Sequence, residues 1–509
     1  MRSRKAVINI ITSMTDQIIA TICAFLIPRL ILVTFGSEYF GVVQSITQYM
    51  GIVELMTIGL SGAARVALYK PLAERNNYEI SRIIKSFRMH MRKAAALLIG
   101  YILLLSLVYS YISHNSLTRI EIAEFVLIIG MRTIAESLLM GVSLSLLAAD
   151  QLVSVYACAM AVARILNAVM IFVLIGQGRS IVSVYFFSNL AFLAAAVFLD
   201  VFIRKYYSLT SECEPNEDAF ALRGAVAYHN IANYVHENID ITLLTLFSEA
   251  SLISVYSIYH LITAKMHVVM RVFTNGLEGA FGNMWAKEEH DALKQNFHLY
   301  EFCIFSFVSV VFSCVGVLIV PFISLYTAGV EDQNYIFYDI AVFSTVAEGI
   351  YCIREPYLTL TYATGKYEET KKASACEAII NLIISLSLIH FMGITGLLLG
   401  TIVANTYRSL HFIWFDYKYI LKQSYGRLIR LFALLSLNMS VSISLGSIIL
   451  RRYSVSGWME WIFIAIIVFS IASLTVLITS LIWNRNDFLS VLKKLSRIFK
   501  RKNRYLKFR

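Results

Sequence analysis

The chain has 509 residues, 58% of them hydrophobic and 15% charged, with a formal net charge of +11 and a mean hydropathy of +0.68. A soluble globular chain carries roughly 25% charged residues, so this composition excludes a soluble enzyme or binding module and indicates a polytopic membrane protein. Its apolar runs are mostly about 20 to 30 residues long, where roughly 20 suffice for a helix to cross a bilayer, and only five prolines interrupt them. Helices, not barrel strands, are expected.

In chain order, charge, glycine and loop chemistry place spans near 7–35, 40–66, 94–112, 120–147, 153–175, 180–203, 228–248, 252–285, 298–326, 336–363, 373–391, 394–416, 428–450 and 458–483. The first follows a basic MRSRK, but it is too long for a signal-peptide core, lacks a small-residue cleavage site and is followed at once by another span. It is expected to stay in the mature protein. The polar stretch YYSLTSECEPNEDAFALRG separates spans six and seven. The division it suggests is an N-terminal lobe at 1–203, a cytoplasmic linker at 204–227, a C-terminal lobe at 228–416, two further spans within 417–483, and a basic tail at 484–509. The tail's stretch from Lys493 to Arg509 alternates apolar and cationic residues, as an interfacial helix on the cytoplasmic leaflet would, although a disordered tail fits as well.

Orientation follows from lysine and arginine. The inside segments, including the N-terminus, the loop after span two, the linker and the tail, hold about 32 of the 44 basic residues, while the outside loops hold about four (Arg119, Arg179, Arg451 and Arg452). Both termini are expected in the cytoplasm. The same bias accounts for the net charge without nucleic acid. Seven scattered cysteines, with no C-x-x-C, indicate neither a disulfide framework nor a metal site, and no cofactor motif is present.

The spans show a weak internal repeat: SEYFGVVQSI (Ser37–Ile46) is echoed by SEASLISVYSI (Ser248–Ile258), six spans later. An even number of spans preserves orientation, so a parallel repeat is implied, with two similar six-helix lobes related by an axis along the membrane normal.

Polar residues within the spans fall at helical spacing. In span seven, HNIANYVHENID opens with His229, Asn233, His236 and Asp240 on one stripe, four, three and four residues apart. It lacks the second histidine of a zinc-protease motif. Span two carries Glu54, Ser61 and Arg65; span four Arg132 and Glu136; span eight Lys265, Arg271, Asn275 and Glu278; span ten Glu348, Arg354 and Glu355. Arg29, Arg164 and Arg408 add cations in spans one, five and twelve. A charge at the bilayer centre costs about 2.5 to 3.5 kcal/mol, so these groups face protein or water. Mutual neutralisation is expected for some, with Arg132–Glu136, Arg271–Glu278 and Arg354–Glu355 as the obvious pairs. Pro28, Pro321 and Pro356 permit kinks in spans one, nine and ten.

Across spans one and two, PRLILVTFGSEYFGVVQSITQYMGIVELMTIGLSGAARVALYKPLAE resembles the Wzx-type polysaccharide flippases of the multidrug/oligosaccharidyl-lipid/polysaccharide exporter superfamily. SVYSIYHLITAKMHVVMRVFTNGLEGAFGNMWAKEE in span eight resembles the bacterial polysaccharide branch. The resemblance implies an all-α integral membrane protein of about fourteen helices, two six-helix lobes plus two C-terminal helices, in a bacterial cell membrane. It implies no enzymatic activity, but alternating-access transfer of an undecaprenyl-pyrophosphate-linked oligosaccharide to the outer leaflet for capsule, O-antigen or another surface glycan. Partners would be that lipid-linked oligosaccharide, membrane lipids and other polysaccharide-assembly proteins. Arg29, Arg65, Lys265 and Arg271 are the leading pyrophosphate candidates, because their spans line the lobe interface in the resembled fold. Arg132, Arg354, Asn233, His236 and Asn275 are further pyrophosphate or sugar candidates, since arginine suits phosphate and amides suit sugars. Asp240, Glu54, Glu278 and Glu348 are candidates for binding a coupling H+ or Na+. A multidrug or cation antiporter of the same superfamily is the alternative; a membrane enzyme of glycan assembly fits less well, because no D-x-D or ATP-binding motif is present.

Overall fold

The computed structural model describes residues 2–113, 115–210, 212–217, 220, 239–274, 277–453, 455–494 and 496, without the side chains of 2–4, 6–7, 52–59, 272–273 and 367. It is almost entirely helical: α1 Arg2–Phe35, α2 Ser37–Glu74, α3 Asn77–Ile112, α4 Arg119–Ala135, α5 Gly141–Ala149, α6 Val153–Gly176, α7 Ile181–Tyr206, α8 239–247, α9 Ala250–Thr274, α10 Leu277–Ala286, α11 His290–Tyr326, α12 Tyr338–Ala363, α13 Tyr367–Phe415, α14 Gly426–Arg452, α15 Trp458–Trp483 and α16 485–494. Ten candidate segments among the described residues are helical, long and apolar enough to cross a membrane. The chain is a multi-pass membrane protein.

The helix boundaries have local causes. The α1–α2 break is Gly36, at φ 93°, a conformation that costs glycine least. Asn76 caps α3 by accepting from the Glu79 N–H at 3.0 Å, and Thr118 with Glu121 forms a reciprocal capping box at α4. Between α4 and α5, residues Glu136–Met140 form a π-helical turn. The predicted spans 373–391 and 394–416 are the two arms of α13, folded at Gly393 (φ 55°, ψ −132°). The arms touch closely: a Cβ on Gly400 would overlap Ser385 Oγ. The expected span 252–285 is described as helix over Ala250–Thr274 and Leu277–Ala286, and residues 275 and 276 between them lie outside the described residues.

Two compact units emerge. The first is Met1–Ser257 with Gly329–Gln333. Its core gathers Phe87, Leu146, Leu147, Ala196 and Leu199 from α3, α5 and α7. Here α2 meets the start of α9 without side-chain padding: a Cβ on Gly41 would overlap the Ala250 carbonyl oxygen. Beside this contact the hydroxyls of Ser45 and Thr245 share a hydrogen bond of 2.5 Å.

The second unit is Ile258–Ala328 with Asn334–Arg509. Phe297, Phe305, Phe312, Tyr357, Leu360 and Phe412 form its centre. Large apolar side chains such as Ile11, Ile18, Phe172, Ile462 and Phe469 are exposed along α1, α6 and α15. In water such surface would drive association; on membrane helices it is the face that meets lipid.

Candidate functional site

A polar grouping in the second unit lies between α9 and α12. His267 and Arg271 are four residues apart on α9, and Glu348, Tyr351 and Glu355 are three and four apart on α12, so each set forms one stripe. His267 Nε2 lies 3.0 Å from Glu355 Oε1 and its Nδ1 3.7 Å from Glu348 Oε1. Arg271 Nε lies 3.1 Å from the same His267 Nε2 and 3.9 Å from Glu355 Oε1. A neutral imidazole nitrogen donates or accepts, not both. Nε2 therefore donates to Glu355 or accepts from Arg271, and placing one proton selects between the two arrangements. The ring is held edge-on against Tyr351, with centroids 4.4 Å apart.

One turn further, Arg271, Thr274, Glu278, Glu355, Thr359 and Tyr362 line a cleft of about 240 Å³. Glu355 is nearly buried at 7% side-chain exposure, whereas Arg271 keeps 51%. A nearly buried acid thus lies beside a half-exposed cation that lines the cleft. Hydroxyls on both helices supply donors and acceptors for a sugar or phosphate.

A second network is closed. Arg354 NH1 pairs with Glu377 Oε1 at 2.6 Å, and Arg408 Nε lies 3.7 Å from Glu377 Oε2. Both guanidiniums lie over aromatic faces, Arg354 on Tyr351 and Arg408 on Phe412, each 4.2 Å from the ring centre. All three charged groups are buried. A third cluster buries Glu301, which accepts from the hydroxyls of Tyr357 (2.7 Å) and Tyr417 (2.8 Å) and faces Arg427 at 3.4 Å.

In the first unit, Asp240 is buried on α8 and accepts from the Tyr256 hydroxyl at 2.8 Å. Arg132 pairs with Glu136 at 2.9 Å, and its guanidinium lies 3.8 Å from the centre of the Phe192 ring. Asp16 pairs with Arg164. Arg29 is half-buried on α1. Arg65, also half-buried, has its Nε buried with no hydrogen-bond partner among the described residues.

The structure therefore brings together Arg271, Glu278 and, through His267, Glu348. Arg132 and Arg354 are engaged elsewhere, and Lys265 is half-buried on α9 without lining the cleft. Asn233, His236 and Asn275, and the side chain of Glu54, lie outside the described residues. Two expected pairings are corrected. Arg354 turns to Glu377, not to its neighbour Glu355, because consecutive residues of a helix point about 100° apart. Arg271 is held by His267 and Glu355, and no ion pair with Glu278 is found among the described residues. Sequence reasoning missed His267, although its place four residues before Arg271 put it on the same stripe. Glu377 had no signal of its own, since its partners lie on α12 and on the other arm of α13.

No protein-family model matches the sequence, and no curated protein matches it. The fold, however, is shared with solved transporters. Over 94% of this chain and 99% of the other, it is similar to a lipid II flippase, MurJ, in an inward closed conformation (TM-score 0.66, 14% identity). An inward-facing multidrug-resistance MATE-family transporter of the MOP superfamily matches 83% of this chain and 99% of its own (TM-score 0.63, 13% identity). A point mutant of the Vibrio cholerae MATE transporter VcmN matches 84% and 99% (TM-score 0.57, 14% identity).

Proposed function

We propose that this protein is a flippase carrying an undecaprenyl-pyrophosphate-linked oligosaccharide from the cytoplasmic to the outer leaflet by alternating access, in surface-polysaccharide assembly. The observation that carries the reading is the extent of the fold likeness. The likeness to a protein named as a lipid II flippase covers 94% of this chain, against 83% for the multidrug transporter.

The α9–α12 cleft fits such a cargo. Arg271 offers forked donors to a pyrophosphate, with Thr274, Thr359 and Tyr362 beside it for polar contacts, while the polyprenyl tail stays in lipid. Arg29 and Arg65 are further phosphate candidates. His267 with Glu348 and Glu355 offers a place to exchange a proton during the cycle, and Asp240 a second. In a bacterial plasma membrane with both termini cytoplasmic, the inside-negative potential favours outward movement of the anionic cargo by about 2.3 kcal/mol per charge per 100 mV.

The test is flipping of a fluorescent undecaprenyl-pyrophosphate oligosaccharide in proteoliposomes, beside proton-driven uptake of organic cations. Flipping by the wild-type protein supports the proposal. Cation exchange with no flipping of any glycan replaces it with an antiporter.

A further inference from the structure

A cluster of cations apart from the α9–α12 cleft lies where the basic start of α3 meets the end of α7. Ser81, Lys85, Arg88 and Arg92 form one stripe of α3, four, three and four residues apart. Asp200 and Arg204 face them from α7. Arg88 NH2 and Arg204 Nε both pair with Asp200, at 2.5 and 2.6 Å. One nearly buried carboxylate, at 12% side-chain exposure, thus orients two guanidiniums.

The chain after α7 is fastened over this stripe. The Thr210 N–H donates to Ser81 Oγ (3.2 Å), Lys85 Nζ to the Cys213 carbonyl (2.6 Å), and Arg82 Nε to the Glu214 carbonyl (3.1 Å). Asn216 Nδ2 donates to Glu79 Oε1 at 2.6 Å. Beneath it is a crevice of about 380 Å³, whose polar lining is Lys85, Arg88, Arg92, Arg204, Ser81 and Thr210. Four cations meet one carboxylate, and Arg92 makes no ion pair among the described residues.

Positive-inside bias places cations in a loop, but it does not require them to converge on one crevice or to be aimed by a shared buried acid. Fixed guanidiniums around a small volume suit the tetrahedral oxygens of phosphate. We propose that this crevice is a phosphate-binding site, which seats either the headgroup of an anionic phospholipid or a free phosphate ester. Lysine and arginine at the level of the lipid headgroups draw anionic lipid in any case; here the crevice adds fixed geometry. The proposal is independent of the transport reading, and its readout is binding.

Full-length protein in phosphatidylcholine nanodiscs with a small fraction of spin-labelled phosphatidylglycerol gives the immobilised lipid fraction. A parallel arm titrates detergent-solubilised protein with glycerol 3-phosphate. Arg92→Gln/Arg204→Gln is compared with Arg92→Lys/Arg204→Lys and with Lys93→Gln/Lys205→Gln. This last pair removes equal charge from exposed neighbours that do not line the crevice. The expected result is a loss of roughly tenfold or more in affinity for the arginine-to-glutamine pair, from lost charged hydrogen bonds, partial retention with lysine, and a clearly smaller loss in the Lys93/Lys205 pair, where only the general surface attraction changes. That pattern with phosphatidylglycerol identifies a lipid site; the same pattern with glycerol phosphate alone identifies a soluble phosphate ester. Equal losses in both glutamine pairs, or binding of neither probe by the wild type, overturns the proposal.

Discussion

Arg271→Ala and Arg354→Ala remove the same charge from the same unit, and the structure predicts opposite consequences. Arg271 is 51% exposed, and its Nε lies 3.9 Å from Glu355. Such a solvent-screened pair contributes at most about 1 kcal/mol to stability. Arg354 is 7% exposed and 2.6 Å from Glu377, which is buried to the same degree. Deleting it leaves the Glu377 carboxylate facing Arg408 at the longer distance of 3.7 Å. Breaking a buried pair costs about 3–5 kcal/mol. In transport the order reverses. If Arg271 donates to the pyrophosphate, its loss removes a charged hydrogen bond of about 1.5–3 kcal/mol. Flipping at matched insertion then falls by about 10- to 150-fold. Thermal unfolding by fluorescence-detected size exclusion, together with proteoliposome flipping, measures both. Melting of Arg271→Ala together with Arg354→Ala, or wild-type flipping by Arg271→Ala, would refute the reasoning.

Three further outcomes follow from geometry. Gly41→Ala should destabilise by about 3 kcal/mol or more, because its Cβ meets the Ala250 backbone, while Gly100→Ala, with open space around it in α3, should gain up to about 1 kcal/mol; thermal melts of the two rank them. Gly393→Ala should cost about 1–3 kcal/mol, since φ 55° with ψ −132° is accessible to glycine alone, and limited proteolysis should show earlier opening of the α13 hairpin. Tyr256→Phe removes the 2.8 Å donor to buried Asp240 and should lower stability by about 1.5–3 kcal/mol; an unchanged melting temperature would show that other groups near Asp240 compensate fully.

Most of the fold was legible in the sequence, because bilayer thickness converts apolar length into helices and lysine and arginine mark the loops between them. The α13 hairpin at Gly393 and the capped starts of α3 and α4 follow from local chemistry. Helical spacing also put Arg271 and Glu278 on one polar face, and Arg132 beside Glu136.

Spacing along one helix says nothing of which neighbouring helix faces it. That is why only the tertiary structure paired Arg354 with Glu377 and Arg408, joined His267 to Glu348 and Glu355, and gathered Lys85, Arg88, Arg92 and Arg204 around Asp200. The sequence by itself determined which residues are too polar to face lipid. The rotation and register of packed helices decided which of them are neutralised in the interior and which, such as Arg271, stay exposed in a cleft where a ligand can reach them.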